Sequence, residues 1–180
     1  MANDEAQAKR YSAGAVLFRH AHEQPLYLLL RVYKYWDFPK GEVEPDEDPL
    51  HAVQREVKEE TGLSELYFPW GEIFHETPPY RQGKIARYYL AEVADRPITL
   101  GINAALGRPE HHEYRWLTYA QAQPLLVPRV RAVLDWAHAI ITQGPRRAEP
   151  HSGRPPARRL RRAKADQSSS PKPCAQALKK

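Results

Sequence analysis

The sequence predicts an α/β fold, a mixed β-sheet sandwiched between α-helices, on two observations. Short runs rich in Val, Leu, Phe and Tyr lie on both sides of one strongly marked helix, and a second amphipathic helix follows them. A chain of 180 residues holds one such domain with a real core, flanked by tails.

Ser12 to Arg19 and Leu26 to Val32 read as two strands separated by the polar segment HAHEQP. The stretch YWDFPKGEVEPDEDP carries prolines, a glycine and many acids, which argue for a structured loop with no regular element. A helix then begins: Asp48 can cap it and Pro49 suits its first position. Leu50, Val53 and Val57 repeat at helical spacing, and Gly62 can end the helix in a left-handed turn. Further strands are expected at Leu66 to Phe74, Ile85 to Val93 and Tyr114 to Leu117. A second helix is expected from about Pro128 to Thr142, with Val130, Val133, Leu134, Ala137 and Ile141 on one face.

The domain is expected to span residues 11–143, after an N-terminal tail of residues 1–10 and before a basic tail, 144–180. The net charge of +5 divides unevenly: the C-terminal tail has eleven Lys and Arg against two acids, giving +9, which leaves −4 for residues 1–143. Many of the 17 prolines lie toward that end, and the tail has almost no large apolar residues, a composition expected to remain disordered. The single cysteine, Cys174, excludes an intramolecular disulfide and a cysteine metal cage. With no apolar leader in MANDEAQAKR and no run of membrane-spanning length, the expected compartment is the cytoplasm.

The helix carries the chemistry. With Leu50 at zero on a helical wheel, Val57 and Val53 fall at roughly 340° and 300°, Glu60 at roughly 280°, Glu56 at roughly 240° and Glu59 at roughly 180°. Three carboxylates therefore border the buried stripe, while His51, Gln54 and Lys58 take the solvated face. Like charges at these spacings repel by a few tenths of a kcal/mol per pair. Either the acids form an ordinary face paired with Arg55 and Lys58, or they hold a divalent cation. An oxygen-only set favours Mg²⁺ or Mn²⁺ over zinc.

Gly41, Glu47, Arg55, Glu56, Val57, Glu59, Glu60, Gly62 and Leu63 stand at the spacing of the Nudix box, with no mismatch. A chance match is roughly one in ten million, which decides between the two readings of the helix. From about Ser12 to Thr142 the chain resembles the Nudix hydrolases. That resemblance implies the Nudix fold and a Mg²⁺-dependent enzyme cleaving a phosphoanhydride in a nucleoside diphosphate linked to another group. By position, Glu56, Glu59 and Glu60 resemble the metal carboxylates, with Glu59 and Glu60 also catalytic, and Arg55 the residue that orients them. Glu47 resembles either a helix-orienting hydrogen bonder or a more distant ligand.

Around the box, Trp36, Pro39, Lys40, Gly41, Glu44, Pro45 and Glu47 resemble the asymmetrical diadenosine tetraphosphate hydrolase branch. So do Glu110 and His111, followed by Tyr114, Arg115, Trp116 and Leu117. This likeness implies cleavage of diadenosine tetraphosphate to ATP and AMP. It also implies Glu110 as a further metal ligand or general base, with Glu113 competing for the part, and Lys40 as a phosphate contact. Tyr88 matches an aromatic position of the branch and is expected to meet the adenine. Only one of Tyr88 and Tyr89 should reach the pocket, because neighbouring strand residues face opposite ways. Lys84 or Arg87 is expected near the distal phosphates.

Two features depart from the branch. The segment GINAALGRP, residues 101 to 109, is longer than the usual connection before Glu110, and the basic tail has no counterpart. Rival activities sharing the box are hydrolysis of a nucleoside triphosphate, a nucleotide sugar or an RNA 5′ end. A rival of another class is a nucleotide-sensing protein that contacts nucleic acid through its tail.

Overall fold

A computed structural model describes residues 11–103 and 107–144 of the chain. The elements run β1 (Tyr11–Ala21), β2 (Gln24–Val32), β3 (Tyr35–Asp37), β4 (Lys40–Glu42), α1 (Pro49–Thr61), β5 (Phe74–Glu76), β6 (Ile85–Glu92), β7 (Ile102–Asn103), β8 (Arg108–Pro109), β9 (Glu113–Leu117), α2 (Tyr119–Ala122), a 3₁₀ turn (Gln123–Leu125) and α3 (Pro128–Gln143). The basic tail expected after Gly144, with its nucleic-acid role and Cys174, lies outside the described residues, as does the N-terminal tail.

Seven strands form one mixed sheet in the order β3-β2-β1-β6-β5, with β4 also pairing β1 and β9 pairing β2. The β1–β6 pair is parallel and its register sets Gly14 beside Tyr88 and Ala15 beside Tyr89. Alternation along the strands then sends successive side chains to opposite layers. Val16, Phe18, Leu29, Tyr88 and Leu90 pack with Val130, Val133, Leu134 and Ala137 of α3. Ala15, Leu17, Leu28, Leu30, Tyr89 and Ala91 pack with Ala52, Val53 and Val57 of α1. The expected sheet between helices is therefore present, and α1 is fixed to it by burial of Val53 and Val57, about 1.5–3 kcal/mol for each such side chain.

The signals bounding α1 act as read. The Asp48 carboxylate accepts the N–H groups of Leu50 at 2.8 Å and His51 at 3.4 Å, a cap contributing about 1 kcal/mol. Gly62 takes φ 76°, and its N–H donates to the Lys58 carbonyl at 2.9 Å. Two expectations differ. Within the loop preceding α1, Tyr35–Asp37 and Lys40–Glu42 are short strands, because β2 and β1 each offer them an unpaired edge. The strand expected from Leu66 to Phe74 shrinks to a single bridge at Tyr67, with β5 starting only at Phe74. Pro69 cannot donate to a ladder, and Gly71 turns the chain at φ 77°. Among the described residues no helix is long and apolar enough to cross a membrane.

Candidate active site

The loop between β4 and α1 is closed on itself before it meets the helix. Glu44 N–H donates to the Glu47 carboxylate at 3.0 Å, and Glu47 N–H to the Glu44 carbonyl at 3.0 Å. From α1, the Arg55 guanidinium grips both Glu47 oxygens at 2.9 Å each, and its remaining N–H groups reach the Glu42 carbonyl at 3.1 Å and Glu56 at 2.6 Å. This two-pronged bond holds Glu47 down to about 2, with the Glu44 amide adding to it. Of the two parts open to Glu47, the structure shows the helix-orienting one.

Glu56 points back across the start of α1 toward β4, and Gly41 makes room for it. A Cβ at position 41 would sit 1.9 Å from the Glu56 carboxyl group. Burial pushes Glu56 above the usual carboxylate range, and Arg55 opposes that rise. Glu60 lies deeper: it accepts the Lys40 backbone N–H at 3.0 Å and stands 3.7 Å from His111 Nδ1. Burial raises its pKa well above the ordinary value, against the pull of the Lys40 charge and with added repulsion from Glu56 and Glu110. Glu59 is the exposed member, 3.7 Å from Arg55. The Lys40 ammonium stands 3.5 Å from Asp37, whose charge, together with that of Glu60, holds its pKa up against burial.

Glu56, Glu59, Glu60, Asn103, Glu110 and His111, with Gly101 and Ile102, line one cleft of about 400 Å³. Glu110, fifty residues beyond the helix, thus joins the three acids of α1. Its competitor Glu113 lies on β9, tied to Arg31 at 2.8 Å and to Arg115. Among the described residues no three His, Cys, Asp or Glu side chains already converge on one point at metal-ligand spacing. The donor chemistry nevertheless fits a hard divalent ion. The acids supply only oxygen, and two of them are buried at a cost that a cation between them would relieve.

Tyr88 requires a correction. It is fully buried, its ring set edge-on against Phe38 at 5.9 Å and its hydroxyl donating to Asp37 at 2.9 Å, so it has no free face for a base. Centre-strand burial under α3 outweighs any role as an open platform. Tyr89 faces the other layer and packs on Phe74. Half-buried Tyr80 is the ring near Lys40, with the Arg129 guanidinium 4.4 Å above it and 3.8 Å from Asp37. Lys84 accepts the Tyr80 N–H through its carbonyl at 2.9 Å and does not line the cleft. Arg87 is engaged by Glu76 at 2.8 Å and by the Phe74 ring at 3.9 Å. Asp37, Tyr80, Asn103 and Arg129 were missed from sequence. Each sits in a turn, a short strand or the first turn of a helix and carries no periodic signal of its own.

Comparison with known proteins agrees with this arrangement. The NUDIX domain family matches residues 8–137. An asymmetrical bis(5′-nucleosyl)-tetraphosphatase of Mus musculus is 31% identical over 115 residues, covering 62% of this chain and 75% of that protein. An RNA pyrophosphohydrolase of Shewanella sediminis is 28% identical over 98 residues, covering 47% of this chain and 56% of that protein. A crystal structure of a C. elegans Ap4A hydrolase binary complex superposes with TM-score 0.59 at 23% identity, covering 74% of this chain and 98% of that one, which supports the fold. The family acts on nucleotide substrates and generally employs a divalent metal such as Mg²⁺. On the match across most of its folded part, and on the acidic cleft built by its box, this chain belongs to the Nudix hydrolase family.

Proposed function

We propose that the protein cleaves diadenosine tetraphosphate asymmetrically, giving ATP and AMP, with Mg²⁺ as the preferred ion and Mn²⁺ as a substitute. The observation supporting this is the cleft that faces Glu56, Glu59 and Glu60 with Glu110. The relatives named asymmetrical tetraphosphatases, at 31% identity, supply the substrate class. Bound there, Mg²⁺ would neutralise the polyphosphate and acidify a water.

The chain's own residues divide the remaining work. Glu56, Glu59, Glu60 and Glu110 hold the ion, and Arg55, braced on Glu47, keeps Glu56 aimed. Glu59 and Glu110 are the exposed carboxylates able to take a proton from water. Lys40 binds phosphate oxygens beside Asp37. Tyr80 takes the base-stacking part first expected of Tyr88, with Lys84 at its side as a contact for the far phosphates.

Incubation of diadenosine tetraphosphate with enzyme and Mg²⁺, followed by chromatography, tests the reading. Attack at the fourth phosphorus from the held adenosine gives ATP and AMP, whereas two ADP would mean symmetrical cleavage and refute it. The relatives named RNA pyrophosphohydrolases favour a second reading, in which a 5′-triphosphorylated RNA is the substrate. Release of pyrophosphate from such an RNA, without turnover of the dinucleotide, would establish that one instead.

A further inference from the structure

The segment before Glu110, the one longer than its counterparts in the resembling branch, forms a strap across the end of α1. Helix ends leave carbonyls without partners inside the helix. Here Thr99 N–H donates to the Thr61 carbonyl at 3.0 Å and Gly101 N–H approaches the Glu60 carbonyl at 3.4 Å. The strap lies so close that a Cβ at Gly101 would come within 1.7 Å of the Glu59 carbonyl oxygen, a backbone atom that cannot turn aside. Glycine is required there by this approach, and the approach fixes the strap to the same turn that carries Glu59 and Glu60.

Beyond Gly101 the chain enters β7, which pairs with β8 so that Asn103 lies opposite Arg108 and Ile102 opposite Pro109. Glu110 follows at once. The pairing returns Glu110 to Asn103, whose side-chain Nδ2 donates to Glu110 Oε2 at 3.1 Å. Left to itself, an exposed glutamate opposite three others would turn outward, since like charges repel across the cleft. A neutral amide restrains it without cancelling its charge, where an Arg or Lys would compete with any cation held by the carboxylate.

We propose that Asn103 is a positioning residue for the reaction: through its amide it aims Glu110 at the carboxylates of α1, from a strap docked by Gly101 on the end of that helix. This rests on the reading of Glu110 as a member of the cleft's acidic set. One Glu110 oxygen is taken by the amide and the other is left to act. The strap thereby converts the position of α1 into the position of Glu110.

A double-mutant cycle on the full chain tests this, using Asn103→Asp, Asn103→Leu and Glu110→Gln. Asn103→Asp keeps the shape and removes the donor. Both Asn103 variants should lower kcat by about 10- to 100-fold, the usual effect of losing a residue that orients a ligand, with KM for the dinucleotide little changed. Mn²⁺ binding followed by electron paramagnetic resonance should weaken by a similar factor in Asn103→Asp and in Glu110→Gln. In the Glu110→Gln background, Asn103→Leu should cost nothing further. A parent-like kcat and Mn²⁺ affinity in Asn103→Asp alongside an impaired Glu110→Gln would overturn the part given to Asn103 and leave Glu110 in place. An undiminished cost of Asn103→Leu in the Glu110→Gln background would reduce Asn103 to a packing residue. Parent-like turnover in Glu110→Gln would overturn the reading of Glu110 itself, and this proposal with it.

Discussion

Gly41→Ala should separate the architecture of the cleft from its chemistry. Gly41 is paired with Ala13 across β4 and β1 and has no positive φ, so alanine is compatible with its backbone. The added methyl would stand 1.9 Å from the Glu56 carboxyl carbon and one of its oxygens, where contacts under 3.0 Å are not sustained. The atom in the way is the end of a flexible side chain, so the carboxylate retreats, by on the order of 1 Å, and the strand stays where it is. Stability should change by no more than about 1 kcal/mol, since replacing a compatible glycine also lowers the entropy of the unfolded chain. Turnover should fall about 100-fold, the scale expected when a reacting group is misplaced by that distance. Thermal melting without metal and Mg²⁺-dependent hydrolysis of diadenosine tetraphosphate measure the two quantities on one preparation. A variant that melts like the parent and retains kcat within about threefold would refute the argument, because Glu56 would then be displaced without consequence.

Glu60→Gln should raise the melting temperature of the metal-free protein at pH 8. Burial raises the Glu60 pKa, so the folded chain holds a proton that the unfolded chain has released. The resulting loss of stability is present above the raised folded pKa and is relieved as pH falls toward the ordinary carboxylate value. The advantage of the variant should therefore shrink on acidification. Mg²⁺ should stabilise the parent more than the variant, and a Glu60→Gln protein less stable than the parent throughout pH 5–8 would contradict this. A chain ending at Gly144 keeps the bonds of Gly144 N–H to the Ile140 carbonyl at 2.8 Å and of the Trp70 indole to the Gly144 carbonyl at 3.4 Å. It should fold and turn over within about twofold of the full chain. A large loss per folded molecule would give the basic tail a place in catalysis.

What the sequence by itself determined is what neighbours along the chain decide. The cap at Asp48, the left-handed stop at Gly62, the buried stripe of Val53 and Val57, and the acidic border beside it all follow from spacing within one helix. The grip of Arg55 on Glu47 and Glu56 belongs to the same short stretch, so the box that carries it could be read directly. Glu110 was reached only through a resemblance, since nothing in its own surroundings marks it.

Tertiary structure alone decided the rest. Strand pairing that sets Gly14 beside Tyr88 turns that ring under α3 and buries it, although Tyr88 and Tyr89 are equivalent as residues in a strand. Edges offered by β1 and β2 made strands of residues read as loop. The backbone of Lys40 reaches Glu60 across 20 positions, and Asn103 reaches Glu110 only because β7 turns back on β8. Contacts of this kind join residues with no shared period. Their partners are chosen by how the sheet and α1 pack, which makes them consequences of the whole fold rather than of any local pattern.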